Sequence, residues 1–439
     1  MARIRLAEVL GGLSFALDLT EGQPEGHILR TTVIGMALGE RAGLAPAELA
    51  DLYHALLLKD IGCTANASRT SALLAADDRE VKPALKLTDL STGKGRANWA
   101  LRVVARHERP LTRGRTILNL ARGEGLHEAL IRLRCERGRE LALDLGFPLA
   151  VADAIGSLDE HWDGEGHPDG LRDERIPRFS RILLLAQTAE VFAAARGTRE
   201  ALAVVHRRRG RWFDPALTPL VDAELLDGLP RDEETLLAAV VERAPPGAAA
   251  DATEAHLTQV AHAFAEVVDA KSPWTARHSH RVAAVVTGMA ERTGQAAGSD
   301  LVRAALLKDI GTLGISSRIL DKPGALTPRE WEAVRGHATA GAELLARVRP
   351  YRPIAAAAAD HHERLDGSGY PRGLREGEIA AIPRLLAVAD AFESLTAGRP
   401  YRPPVTPFQA VSQLRGEDGM RLDADLLDAL AAFVADGAP

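Results

Sequence analysis

The sequence predicts an all-α protein made of two tandem copies of one helical domain. Three observations carry that expectation. Ala, Leu, Arg and Glu dominate, all good helix formers, and aromatics are only 4% of a chain that is 46% hydrophobic. The alternating pattern of strands is weak throughout. The segment Leu57-Leu58-Lys59-Asp60-Ile61-Gly62 recurs intact as Leu306-Leu307-Lys308-Asp309-Ile310-Gly311.

The flanks of the repeat agree in order. Gly26-His27, Arg30 and Gly35-Met36-Ala37 precede the first copy; Arg277-His278, Arg281 and Gly288-Met289-Ala290 precede the second. Downstream, Asp163 to Leu171 echoes Asp366 to Leu374, and in that register Ile176 falls on Ile379 and Arg181 on Arg384. The expected domains are residues 1–210 and 251–439. Residues 211–250 form a helical connector ending in a linker, because Pro245-Pro246 bars a helix and Gly247 follows.

The elements of the second copy follow from local signals. Asp251 or Thr253 caps a first helix whose apolar face holds Leu257, Val260, Ala261 and Phe264. A second helix runs from Arg281 to Arg292 and a third from Ser299 to Asp309. Thr327-Pro328-Arg329-Glu330 is a capping box with Pro in the first turn. Ala355 to His361 is Ala-rich and buried, and Pro383 to Leu395 is a late core helix. Lys322-Pro323-Gly324 and Asp366 to Pro371 are loops.

Composition excludes several roles. With a formal charge of −6 and both signs interspersed, a charge-driven nucleic-acid binder is not expected. Arg207-Arg208-Arg209 reads as a solvated helix end. Two cysteines, Cys63 and Cys135, make no disulfide framework and suit a reducing cytoplasm. No apolar run is long enough for a bilayer, so no membrane partner is expected.

Chemistry concentrates in the second copy. His361-His362 runs into a loop freed by Gly367 and Gly369, so neighbouring side chains at a helix end can serve one site. His278, Asp309, His337 and Asp390 join them as metal-competent residues. Asp309 and Asp390 each end an apolar stretch, where a carboxylate is costly unless paired or metal-bound. Mixed His and carboxylate ligands suit Fe, Mn, Ni or Zn. One carboxylate can bridge two ions that activate water against a phosphodiester. Lys322, Arg364 and Arg384 are available to hold phosphate.

These residues resemble the HD-GYP phosphodiesterase domain over most of 251–405. His278-Ser279-His280-Arg281-Val282 resembles its first ligand helix, Lys322-Pro323-Gly324 its Lys-Pro-Gly loop, and His337 its following histidine. His361 to Pro371 resembles the Gly-Tyr-Pro motif; Asp390 and Arg399-Pro400-Tyr401-Arg402 also match. The resemblance implies an all-α HD fold, two or three metals, and hydrolysis of cyclic di-GMP or a related cyclic dinucleotide.

The dyad departs from that pattern. The family order His-Asp-Ile-Gly-Lys reads Lys308-Asp309-Ile310-Gly311-Thr312. A protonated Lys repels a cation by ~4 kcal/mol per unit charge at ~4 Å and an effective dielectric near 20. The expected site therefore holds one ion or two, with Lys308 and bridging Asp309 in catalytic roles and Lys308 able to contact phosphate. The first copy keeps His27, Lys59, Asp60 and His107 as a degenerate site. Leu158, Asp159 and Gln187 stand where His361, His362 and Asp390 stand, so no working dinuclear centre is expected there. Cys63 reads as a small buried apolar residue, and the five tryptophans, Trp331 included, as structural.

The leading expectation is a phosphohydrolase acting on a cyclic dinucleotide or other phosphoester. Its alternative is a module that binds a cyclic dinucleotide or a protein without chemistry. A homodimer and signalling proteins are the remaining expected partners.

Overall fold

The computed structural model describes residues 4–89, 92–122, 126–295, 298–417 and 420–437. It is all helical apart from loops and isolated bridges, with no strand among the described residues. The chain divides into two compact units, Met1–Ala252 and Thr253–Pro439. Each holds the same run of five helices.

In the first unit these are α1 (His27–Arg41), α2 (Pro46–Leu58), α3 (Leu126–Asp144), α4 (Leu149–Gly156) and α5 (Arg178–Arg196). In the second they are α6 (His278–Thr293), α7 (Ser299–Leu307), α8 (Pro328–Arg347), α9 (Arg352–Asp360) and α10 (Ala381–Thr396). The pairings repeat as well. α1 packs on α2 and α5 as α6 packs on α7 and α10, and α3 packs on α4 as α8 packs on α9.

Sequence explains the elements locally. α8 begins at the expected capping box: Thr327 N–H donates to Glu330 Oε2 at 2.6 Å, with Pro328 in the first turn. α2 starts the same way, its Glu48 carboxylate accepting from Ala45 N–H at 2.8 Å. α6 begins at His278, three residues before the expected start at Arg281. The cause is a carboxylate from the preceding helix. Asp269 accepts from Ser279 N–H at 3.1 Å and from its hydroxyl at 2.8 Å, which satisfies first-turn donors and aims His278 inward. Asp18 does the same for α1, accepting from Gly26 N–H at 2.8 Å and Ile28 N–H at 3.0 Å.

Residues 211–250, expected as a helical connector and linker, fall within the first compact unit. The helix Glu233–Glu242 buries Leu236 and Val240, and Tyr53 Oη donates to Val240 O at 3.0 Å. The apolar side chains of this stretch outweigh its Pro-Pro-Gly tail.

One backbone contact recurs in both units. A Cβ at Gly311 would collide with His337 O and Gly341 N on α8. A Cβ at Gly62 would collide with Arg134 O and Gly138 N on α3. The glycine thus brings the Lys-Asp pair hard against the next long helix. This contact also fixes which residue of the first unit corresponds to His337: it is Arg134.

Candidate metal centre

Helix ends deliver the polar residues of the second unit to one place. His278 opens α6, Lys308 and Asp309 close α7, His361 and His362 follow α9, and Asp390 lies inside α10. His337 faces them from the middle of α8.

Two groups share Asp309. In the first, ligand atoms of Asp309, His337, His361 and His362 lie within 4.8 Å of one another. His337 Nε2 and His361 Nε2 are each 3.4 Å from Asp309 Oδ1. His337 Nδ1 is 2.5 Å from Val334 O and His361 Nδ1 is 2.7 Å from Ala358 O. A carbonyl only accepts, so each Nδ1 carries the proton and each Nε2 keeps its lone pair for the centre. Burial pushes both His361 and His362 down, helped by Lys308 and His337 for His361 and by His361 and His337 for His362, so both stay neutral. Neutral imidazoles beside an ionised carboxylate fit a divalent transition metal.

The second group is His278, Asp309 and Asp390, also within 4.8 Å of one another. Here the fit fails, because an ammonium already stands among the donors. Lys308 Nζ is 2.9 Å from His278 Nε2 and 2.7 Å from Asp390 Oδ1, and it contacts Asp309 Oδ2. Lys308 is fully buried. Burial alone would strip its proton, but Asp309 and Asp390 together hold it charged. In turn Lys308 and the neighbouring histidines overcome burial and hold both carboxylates well below their usual range.

Sequence reasoning missed Glu393. It accepts from His278 Nδ1 and is bridged by Arg281 Nε at 2.8 Å and Arg399 at 3.3 Å. A carboxylate one turn past Asp390, on the same face of an apolar helix, was the available signal. Glu363 was missed too. It gathers the N–H groups of Arg372 at 2.7 Å, Gly373 at 3.1 Å and Leu374 at 2.8 Å, which shapes the loop after His362. Within that loop Tyr370 stacks on His362, ring centroids 4.7 Å apart.

The residues expected to hold phosphate separate. Among the described residues Arg364 bonds only its neighbour's carbonyl, Glu363 O at 2.9 Å, and stays beside Tyr370. Lys322 is tied to Glu330 at 2.6 Å. Arg384 is tied to Asp423 at 3.1 Å and Ile379 O at 2.9 Å, so it anchors the start of α10. Lys322 and Arg384 therefore have carboxylate partners that phosphate would have to displace.

The first unit repeats the frame with different chemistry. His27 contacts Glu190 through Nδ1, and Arg30 bonds the same carboxylate at 2.6 Å. Lys59 Nζ contacts Asp60 and lies 3.1 Å from His27 Nε2 and 2.7 Å from Gln187 Oε1. Lys86 Nζ is 2.8 Å from Glu21 and 3.3 Å from Gln187. Lys82 is 3.1 Å from Glu21. Glu21, Asp60 and Cys63 lie close enough to share an ion, but lysines neutralise the two carboxylates and burial pushes the Cys63 thiol up. These residues do not fit a metal. His107 is not among them: it is exposed, 3.9 Å from Glu80. The extra chain between Asp60 and α3 carries it away, and Arg134 occupies its expected place.

Residues 115–217 and 262–426, more than half the chain, match the family model for the HD domain. The 3'3'-cGAMP-specific phosphodiesterase 3 of Vibrio cholerae is 41% identical over 438 residues, which is 97% of this chain and 94% of the relative. This chain is an HD-GYP member of the HD domain family. The crystal structure of a cyclic GMP-AMP specific phosphodiesterase from V. cholerae (V-cGAP3) matches the HD-GYP chain over the full length of both, with a TM-score of 0.64 and 34% identity. A cyclic di-GMP phosphodiesterase of Thermotoga maritima is 40% identical over 159 residues, 35% of this chain and 43% of the relative. The HD-GYP protein is thus a hydrolase of a metal-dependent family. No helix among the described residues is long and apolar enough to cross a membrane.

Proposed function

We propose that the second unit hydrolyses a 3',5'-linked cyclic dinucleotide, 3'3'-cGAMP or cyclic di-GMP, with one divalent ion and one built-in cation. The full-length likeness to the V. cholerae 3'3'-cGAMP-specific enzyme favours that substrate class. The observation that carries the single-ion reading is the placement of Lys308 Nζ 2.7 Å from Asp390 and 2.9 Å from His278.

Asp309, His337, His361 and His362 would hold the ion, and this mixed donor set suits Fe, Mn, Ni or Zn. When bound, it supplies a Lewis acid that polarises phosphoryl oxygen and acidifies water. Lys308 supplies fixed positive charge beside it and keeps Asp390 and His278 oriented. Arg364, lacking a carboxylate partner among the described residues, meets the phosphate oxygens. His278 takes its orientation from Glu393.

The test uses full-length protein loaded with Mn or Fe and chromatography of the products. Linearised dinucleotide should accumulate, and Asp309→Ala should abolish it. Absence of turnover for every cyclic dinucleotide, with metal content verified, overturns the hydrolase reading. A second reading, binding without chemistry, is favoured by the ammonium that fills the His278–Asp309–Asp390 group. Calorimetric binding without turnover would select it.

A further inference from the structure

Beside the histidine cluster, α8 presents Trp331 and Arg335, one helical turn apart and both exposed. The Trp331 side chain is 47% exposed, unusual for the largest apolar residue on a helix whose other face is packed. Arg335 sits between two rings. Its guanidinium is 5.3 Å from the Tyr370 centroid and 6.0 Å from that of Trp331. Tyr370 stacks in turn on His362, 4.7 Å away. A continuous run of rings and one cation thus leads outward from the metal-competent His362 through Tyr370 and Arg335 to Trp331. Arg335 has no carboxylate partner among the described residues, and Gly336 beside it leaves open space.

We propose that Trp331 and Arg335 form the subsite for the half of the cyclic dinucleotide that is not cut. This rests on the substrate class proposed above. A ribose-phosphate ring places its second base and second phosphate beside the phosphate being cleaved. An exposed indole offers a stacking face to a purine, and an unpaired guanidinium offers a two-pronged donor to phosphate. The two chemistries lie side by side here, adjacent to His362, in the order the substrate needs. His337 and His361 cannot supply this recognition, because they are buried, and the half-buried His362 belongs with them to the proposed cleavage centre.

Binding and turnover should be measured separately, on full-length metal-loaded protein. The probes are 3'3'-cGAMP, cyclic di-GMP and bis(p-nitrophenyl) phosphate, a diester with no base or second phosphate. Trp331→Ala and Arg335→Ala should each raise the dinucleotide Kd about tenfold or more, while Trp331→Phe stays near wild type. Turnover of the nitrophenyl diester should stay within about twofold in all three. Unchanged dinucleotide affinity in both alanine variants overturns the subsite and leaves the hydrolase reading standing. Equal losses on both classes of diester also overturn it, since they indicate damage to the centre. A tenfold loss of affinity in a protein without turnover keeps the subsite and sinks the hydrolase reading.

Discussion

In the proposed single-ion site, Lys308 is the residue that sets how many ions can bind. Its ammonium balances two buried carboxylates, and removing one partner of such a group costs about 3–5 kcal/mol. Lys308→Met should therefore lower the melting temperature of metal-free protein sharply, and added Mn should restore most of the loss. Lys308→His offers an imidazole in place of the ammonium. Metal analysis should give near one ion per chain for the wild type and move toward two for this variant. A wild-type value of two contradicts the single-ion account. Lys308 was legible in the sequence as a departure from pattern, since the identity of a ligand can be read letter by letter. That it pairs with His278 and Asp390 was not, because those two come from other helices, α6 and α10, whereas Asp309 is its neighbour in the chain. Histidines tell a second residue-scale story. Burial lowers both His27 and His54 from 6.5 to about 4 in the first unit. The folded state favours their neutral form, so the unfolded chain binds more protons in that window. Their stabilisation is complete above pH 6.5 and is lost as pH falls through about 4. Melting temperature should drop on acidification across that range, and His54→Leu should flatten part of the slope.

At the scale of elements, what positions the centre is where helices start and stop. Caps and glycines were readable: the Thr327–Glu330 box opens α8 as expected, and the repeated Gly62 and Gly311 mark the close approach in both units. The early start of α6 was not readable, because the Asp269 carboxylate that caps it comes from another helix. His107 was misplaced for a similar reason. Spacing along the chain cannot reveal that added segments lie between Asp60 and α3, whereas contact at Gly62 singles out Arg134 at once. Gly311→Ala tests the contact. Overpacking costs about 1–3 kcal/mol, and here the collision is with backbone, which yields little. The variant should unfold several degrees lower and lose metal affinity, whereas Gly336→Ala, in open space, should do neither.

The whole molecule is one frame used twice, with opposite solutions to the same electrostatic problem. Carboxylates brought together at helix ends need positive charge. Both units bury the same lysine, Lys59 or Lys308, against the aspartate; the second adds three histidines beside Asp309 that could hold an ion, while the first adds Lys82 and Lys86. Duplication was plain in the sequence because identical hexamers survive in both copies. The lysines that took over in the first copy were not, as Lys82 and Lys86 lie outside the repeated segments. Asp60→Asn should leave metal stoichiometry unchanged, and Asp309→Asn should reduce it. Equal losses would refute the division of labour. A charge carried on a side chain is encoded in the gene and cannot be chelated or starved away. A cell short of transition metal would therefore still produce a properly folded first unit, and a second unit with one of its two proposed cations in place. Such a protein waits for metal as an assembled receptor, and activity should return on the timescale of ion diffusion, with no refolding.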